Sequence, residues 1–227
     1  MIDKLNLCND RKFKEFNFNS SAIYSLPENK IPFFVLLHSL GKNEKYISKF
    51  SEILPKNAFI LSIRGKFDWK VDGENSFAWF DIKGPFIENF CKEDDILTSA
   101  NYIEKIINEV KNEFTNLDDP IIIGFSQGGI IGLTIAIEEL FPVKAVYCHC
   151  GFYETKLNTG KDKIKTKILI TNGSNDPVIP LDWYHKTYNI LSSKCDNLIC
   201  EIIDCGHEMN EKAVLSFLFW LKTLLNY

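Results

Sequence analysis

The sequence has no surplus of basic residues. Its 227 residues include 26 lysines and arginines against 30 aspartates and glutamates, for a formal net charge of -4 at pH 7. A protein whose main partner is nucleic acid needs positive charge to neutralise the phosphates. The charge balance therefore argues against DNA or RNA as the main partner.

Long apolar runs are also missing. No stretch approaches the roughly 18 consecutive apolar residues that a membrane-spanning helix needs. Residues 1–6 lack the apolar segment of a secretory signal peptide. We therefore expect a cytoplasmic protein with no integral membrane association.

Cysteine pairs of the C-x-x-C type are absent, and the seven cysteines are odd in number. We expect reduced thiols rather than a disulfide framework. Cys148-His149-Cys150 resembles the spacing of metal ligands, but it lies in a β-branched and aromatic run, where residues 148 and 150 would share one face of a strand. Because a zinc site needs three or four converging ligands, we interpret these residues as part of a core strand, and we expect no metal and no cofactor.

Short apolar runs alternate with helical patterns along the chain, which is typical of an α/β protein with a mostly parallel sheet and helices on both faces. The predicted strands cover residues 33–38, 59–63, 121–125, 144–148, 167–171 and 198–203. Apolar residues at spacings of three and four predict helices over 96–114, 181–191 and 213–225. With neither a repeat nor a linker, the pattern indicates a single domain over residues 1–227, with antiparallel edge strands expected within 1–30.

A G-x-S-x-G sequence, Gly124 to Gly128, follows one predicted strand and precedes an apolar helical run. In such an elbow the serine lies on a strained strand-to-helix turn, and the flanking positions must be small so that the backbones can approach. Gly124 and Gly128 meet that requirement. Ser126 is therefore the candidate nucleophile, at a helix N-terminus that favours developing negative charge.

A serine nucleophile needs an imidazole base, and the base needs an acid that fixes its tautomer. Asp176 lies in an Asp-Pro loop that leaves a predicted strand, and His207 lies after the next strand, in Gly-His-Glu. Asp176 lies 50 residues after Ser126, and His207 lies 31 residues after Asp176, so each separation leaves room for about one helix and one strand. All three side chains are then expected at the carboxyl edge of the sheet, where open α/β folds bind ligands.

Other side chains compete for these roles. The alternatives for acid or base are Asp182, Asp196, Asp204, His38, His149 and His185. We favour structural or surface roles for them, because only Asp176 has the Asp-Pro turn in a strand-to-helix loop. Cys205 lies two residues before His207, which suggests the hypothesis that oxidation or alkylation of its thiol disturbs the His207 loop.

Two backbone N–H groups are candidates for an oxyanion hole. The first is that of Gln127, directly after the nucleophile. The second is that of Leu40, in the turn that leaves the strand 33–38 at the same edge of the sheet. The Gln127 side chain is not needed for this role.

The connection over residues 65–95 matches neither periodicity and is rich in aromatic side chains. Connections of this length in a compact domain are usually functional or disordered, and the aromatic residues argue against disorder because they bury enough area to fold onto the domain. We expect a folded cap or pocket wall over the active site. Phe77, Trp79 and Phe80 are candidates for lining an acyl or alkyl pocket.

Taken together, these motifs resemble the phospholipase/carboxylesterase family, which includes acyl-protein thioesterases and small carboxylesterases. The resemblance covers about residues 31–225 and rests on five motifs in order, at residues 37–41, 78–81, 124–129, 176–180 and 206–207. It implies the α/β-hydrolase fold, a triad of Ser126, Asp176 and His207, and oxyanion donors at Leu40 and Gln127. The chain departs from the family pattern at Ser39, where the family usually has glycine, and at Asn172, where it usually has histidine.

The resemblance also implies a reaction. Ser126 would attack an ester or thioester carbonyl to form an acyl-enzyme that water hydrolyses. The implied partners are a small acyl ester, a lysophospholipid or an S-acylated protein. Two alternatives stay open: an acyltransferase that passes the acyl group to an alcohol or amine, and a non-catalytic binding protein that keeps the fold.

Overall fold

Strands and helices alternate along most of the chain. The computed structural model describes residues 12–16, 20–24, 30–70, 75–85, 87, 90–153 and 163–226. The strands are β1 (Lys12–Phe16), β2 (Ser20–Tyr24), β3 (Ile31–Leu37), β4 (Phe59–Ile63), β5 (Phe67–Asp68), β6 (Phe77–Ala78), β7 (Leu117–Phe125), β8 (Ala145–His149), β9 (Lys167–Gly173) and β10 (Leu198–Ile203). The helices are α1 (Glu44–Ile47), which a 3₁₀ helix (Ser48–Ile53) extends, α2 (Glu93–Glu113), α3 (Gln127–Ile137), α4 (Leu181–Leu191) and α5 (Glu211–Leu225).

Eight of the strands form one sheet in the order β1-β2-β4-β3-β7-β8-β9-β10. Neighbouring strands from β4 to β10 run parallel, which confirms the predicted mostly parallel sheet. The chain order reverses between β3 and β7, since β4 lies on one side of β3 and β7 on the other. The carboxyl ends of strands at such a switch point form a crevice where ligands bind, and the turns after β3 and β7 carry the candidate oxyanion donors and nucleophile.

The edge of the sheet next to β4 is antiparallel. β1 pairs with β2, and β2 pairs with β4, both antiparallel. The edge strands expected within residues 1–30 therefore correspond to β1 and β2. The rest of that segment, residues 1–11, 17–19 and 25–29, lies outside the described residues.

Both faces of the sheet are covered, which explains why the central strand β3 is apolar at every position. Along β3, side chains alternate between two core layers: Phe33 and Val35 face one layer, and Phe34 and Leu36 face the other. Helices α2, α3 and α4 contribute to the first layer, and α1 and α5 to the second. Across the described residues, no helix combines the length and the apolar character that crossing a bilayer requires.

The described part of the connection over residues 65–95 packs onto the domain. Its strands β5 and β6 pair antiparallel in a small separate sheet. Trp79 and Phe80, which follow β6, are fully buried in the first core layer. Residues 71–74, 86, 88 and 89 of this connection lie outside the described residues, and Phe86 is among them.

Candidate active site

Ser126 lies at the turn between β7 and α3 with φ 55° and ψ −120°. This backbone conformation is costly for a residue with a Cβ and is stored strain. A Cβ on Gly124 would lie 2.3 Å from the Gly128 carbonyl oxygen, and one on Gly128 would lie 2.2 Å from the Leu37 carbonyl oxygen. The elbow closes because both flanking positions are glycine, as the sequence pattern requires.

The structure brings the three predicted triad side chains together. His207 Nε2 lies 3.0 Å from Ser126 Oγ, and His207 Nδ1 lies 2.7 Å from Asp176 Oδ2. Because a carboxylate only accepts hydrogen bonds, the imidazole proton belongs on Nδ1. The unprotonated Nε2 then faces the serine hydroxyl, which is the arrangement of a general base and its nucleophile.

Asp176 is held as a charged acceptor. Its Oδ1 accepts hydrogen bonds from the backbone N–H groups of Val178 at 2.8 Å and Ile179 at 2.9 Å. Burial raises the pKa of Asp176, but the hydrogen bonds from His207 and from these two N–H groups outweigh burial, so the pKa lies below its ordinary value. The carboxylate is therefore ionised at neutral pH and fixes the His207 tautomer.

Two of the competing aspartates have other surroundings. Asp204 pairs with Lys212 at 2.8 Å on the surface, and Asp182 lies in the first turn of α4. Of the aspartates in the described residues, Asp176 is the one that pairs with His207.

The two candidate oxyanion donors lie on adjoining turns. Gln127 is the first residue of α3, so its N–H is among those that a helix leaves without an intrahelical acceptor. The turn that carries Leu40 passes against the elbow, because a Cβ on Gly128 would also lie 2.8 Å from the His38 carbonyl oxygen. In the described part of the chain, neither the Leu40 N–H nor the Gln127 N–H donates to a protein acceptor.

His38 fixes the turn after β3 through both ring nitrogens. Its Nδ1 donates to the Ser39 carbonyl at 2.7 Å, and its Nε2 accepts from the Gly65 N–H at 2.8 Å. Trp79 Nε1 donates to the His38 carbonyl at 2.8 Å. Burial lowers the pKa of His38 to about 4, so the ring is neutral and structural. This agrees with the structural role that the sequence favours.

Ser39 departs from the family pattern without straining the turn. The positive φ in this turn falls at Gly41, with φ 73°, and Ser39 is not among the non-glycine residues with positive φ. The Gly41 N–H donates to the Phe77 carbonyl and the Phe77 N–H to the Lys42 carbonyl, each at 3.0 Å. Strand β6 therefore contacts the turn over residues 38–41, which carries the candidate donor Leu40 and is called the oxyanion turn below.

The aromatic residues proposed for the pocket have other positions than expected. Trp79 and Phe80 have 0% of their surface exposed, so neither lines an open cavity in this structure. They are instead held by the Gln127 side chain, which accepts from the Trp79 N–H and donates to the Phe80 carbonyl, each at 3.0 Å. Phe77 is partly exposed, with the Arg64 guanidinium 4.6 Å from its ring centre. The prediction is thus corrected for Trp79 and Phe80, which form the wall behind the oxyanion turn.

Asn172 contacts the loop that carries Asp176. The side chain is fully buried, and its Nδ2 donates to the Ile179 carbonyl at 3.2 Å. Since the Ile179 N–H binds Asp176, Asn172 supports the loop that carries the acid. Its position at the end of β9, four residues before the acid, is the sequence signal for this contact.

The end of β8 lies beneath the triad, which sequence reasoning missed. Cys148 packs against α3, because a Cβ on Gly129 would lie 2.7 Å from its Sγ. Cys150 does not share that face, because it follows the end of the strand and has φ 48°. Its Sγ lies within 4.8 Å of a carboxylate oxygen of Asp176 and of a ring nitrogen of His207. The expectation that residues 148 and 150 face the same way is wrong because the strand ends at His149.

Cys205 is also shielded. Its side chain is buried, and its carbonyl accepts from the Asn175 N–H at 3.0 Å, which links the loops of the acid and the base. Burial raises the pKa of the Cys205 thiol, so the reactive thiolate is scarce at neutral pH.

Comparisons with known proteins show the family of this chain. A family model described as phospholipase/carboxylesterase matches residues 19–225. Acyl-protein thioesterase 1 of Saccharomyces cerevisiae is 27% identical over 125 residues, which are 52% of this chain and 55% of the yeast protein. The match therefore spans about half the length of that relative.

Solved structures show the same fold. A Bacillus cereus carboxylesterase superposes with a TM-score of 0.73 at 19% identity, over 92% of this chain and 96% of the other. Acyl-protein thioesterase 2 of Zea mays superposes with a TM-score of 0.69 at 17% identity, over 91% of this chain and 98% of the other. Each of these matches covers more than nine-tenths of this chain.

Proposed function

The chain belongs to the phospholipase/carboxylesterase family of α/β-hydrolases, and we propose that it hydrolyses carboxylic esters or thioesters through an acyl-enzyme on Ser126. The observation that carries this proposal is the continuous hydrogen-bonded series from Ser126 through His207 to Asp176 at a strained elbow. A serine in such a series is activated for nucleophilic attack.

In acylation, the Ser126 Oγ attacks the substrate carbonyl carbon while His207 Nε2 takes the hydroxyl proton. The carbonyl oxygen becomes an oxyanion, which the N–H groups of Gln127 and Leu40 stabilise. His207 then gives its proton to the leaving alcohol or thiol as the tetrahedral intermediate collapses. Asp176 stabilises the imidazolium throughout.

Deacylation repeats the sequence with water. His207 removes a proton from the water that attacks the acyl carbonyl, and it returns that proton to Ser126 Oγ as the acid product leaves. Each step uses side chains and N–H groups of this chain together with water. Short- to medium-chain esters, lysophospholipids and S-acylated proteins are the proposed substrate classes, in keeping with the carboxylesterase and acyl-protein thioesterase names of its relatives.

The proposal is tested by Ser126→Ala with p-nitrophenyl butyrate as substrate. We expect kcat to fall by about 10⁴-fold or more, since the nucleophile is lost, with the thermal unfolding temperature retained. Ser174→Ala is the matched control: its hydroxyl accepts only from the neighbouring Asn175 amide in the described structure, and kcat should stay at the wild-type level.

A fluorophosphonate probe separates the alternatives, because it modifies only an activated serine. We expect labelling of the wild type and of Ser174→Ala but not of Ser126→Ala. Wild-type protein that is neither labelled nor active would contradict the proposal and support a binding role. Labelled protein that transfers acyl groups to an added alcohol faster than to water would support the acyltransferase alternative.

A further inference from the structure

Residues at the end of β8 contact both the nucleophile and the base. The His149 carbonyl accepts from the Ser126 N–H at 2.9 Å. The His149 side chain reaches the other way, and its Nε2 lies 2.7 Å from the carbonyl oxygen of Glu208, the residue that follows His207. One residue thus joins the elbow to the loop of the base, across 59 positions in the sequence between His149 and Glu208.

The protonation of His149 follows from its partners. A carbonyl oxygen only accepts, so the proton lies on Nε2, and Nδ1 accepts from the Thr171 hydroxyl at 2.7 Å. Burial lowers the pKa of His149, which keeps this neutral tautomer at physiological pH. His149 is therefore a fixed donor beneath the His207 loop.

Ring packing adds a second contact to the base. The Phe125 ring stacks on His149 with centroids 5.5 Å apart, and it contacts the His207 ring at 5.1 Å. The Cys150 Sγ lies 4.0 Å from the carbonyl oxygen of Gly206, the residue that precedes His207. Both carbonyls that flank the base are thus met by the consecutive residues His149 and Cys150.

We propose that His149 is a positioning residue of the triad: its Nε2–H, bound to the Glu208 carbonyl, holds the His207 imidazole in line between Ser126 and Asp176. This inference rests on the proposed function for its kinetic consequence but not for its structural one. A base that is displaced by about 1 Å costs up to about 10²-fold in rate even when substrate binding is unchanged. The contribution of His149 should therefore be found in kcat rather than in KM.

The test compares His149→Leu with His149→Gln. Both variants lose the ring that stacks on Phe125, but glutamine keeps an N–H₂ group that can donate to the Glu208 carbonyl, so their difference isolates the hydrogen bond. With p-nitrophenyl butyrate we expect His149→Leu to lower kcat by about 10- to 100-fold with KM within about twofold, and His149→Gln to recover most of that loss.

Thr187→Val is the control for a general loss of stability. Its buried hydroxyl donates to the Trp183 carbonyl and accepts from the Tyr153 N–H, and in the described structure it bonds none of Ser126, Asp176 and His207. If its thermal unfolding temperature falls as far as that of His149→Leu, Thr187→Val should still keep the wild-type kcat. Equal kcat values for His149→Leu and His149→Gln, with both variants folded, would overturn the inference.

A measurement that needs no substrate turnover tests the position of His207 independently of the proposed function. In protein with ¹⁵N-labelled histidine, the Nδ1–H of His207 should give a hydrogen-bonded proton signal in the wild type and in His149→Gln. We expect that signal to be lost or shifted in His149→Leu, even if no ester is hydrolysed. The same signal in both variants would contradict the positioning role, whereas an inactive wild type would contradict only the proposed function.

Discussion

The hydrogen bonds of the oxyanion turn depend on the protonation state of the buried His38. Both nitrogens of His38 are used in neutral form, with Nδ1 donating to Ser39 and Nε2 accepting from Gly65. Protonation would put two N–H groups on the ring, and the Gly65 N–H would lose its acceptor. Burial is the main cause of the lowered pKa, and the nearby Glu44 and Arg64 charges act in opposite directions.

We therefore predict that His38 makes the protein less stable in acid. The unfolded chain takes up the proton near pH 6.5 and the folded protein only at about pH 4, so stability falls as pH decreases between these values. The loss should be on the order of 3 kcal/mol by pH 4. Urea unfolding of the wild type and His38→Gln from pH 4 to 7 measures it, because the other titrations are common to both proteins.

The stability advantage of the wild type over His38→Gln should shrink as the pH falls through that window. If the two stability curves run parallel, His38 does not change its protonation on unfolding and the prediction fails.

The candidate triad could be predicted from the sequence because its signals are local. Gly124, Ser126 and Gly128 lie within one turn, and an Asp-Pro loop and a Gly-His loop each follow a strand. The role proposed for His149 had no such signal, since its partner Glu208 becomes a neighbour only when β8 and the β10 loop meet at the sheet edge. Likewise, the burial of Trp79 and Phe80 depends on packing against α3, which periodicity in their own segment does not reveal.

At the scale of elements, helix α3 is joined to the 65–95 connection by one side chain. Gln127 bonds Trp79 and Phe80, which lie 48 and 47 positions earlier in the sequence. The Ser99 hydroxyl in α2 donates to the Trp79 carbonyl and holds the same segment from the other side. The described part of the connection at Trp79 and Phe80 is therefore bonded to both α2 and α3.

We predict that Gln127→Leu destabilises the fold by about 2–5 kcal/mol, because it leaves the buried Trp79 N–H and Phe80 carbonyl without partners. Urea unfolding monitored by tryptophan fluorescence measures the change. Thr134→Val on the same helix is the control: its hydroxyl bonds only the Ile130 carbonyl, one turn away in the described structure, and its loss should cost about 0.5–1.5 kcal/mol. Equal costs for the two variants would show that the Gln127 link does not stabilise the connection.

At the scale of the whole molecule, the two core layers share one sheet. Phe217 of α5 is fully buried in the second layer, stacked on Tyr147 of β8 at 4.8 Å between ring centroids. Strand β8 ends at His149, beneath the triad. Destabilising the packing of α5 should therefore also destabilise the candidate active site, because the two are parts of one cooperatively unfolding domain.

Phe217→Ala should lower the free energy of unfolding by about 3–5 kcal/mol, since it removes a large buried ring and leaves a cavity. Phe219→Ala, two residues along the same helix, is the matched control: its side chain is 77% exposed, and its replacement should change stability by no more than about 0.5 kcal/mol. In urea, loss of the proposed hydrolysis of p-nitrophenyl butyrate and the change in tryptophan fluorescence should follow the same transition in both variants. Two separate transitions in Phe217→Ala would mean that α5 and the catalytic edge unfold independently, because a single cooperative unit has no state in which one is lost and the other kept.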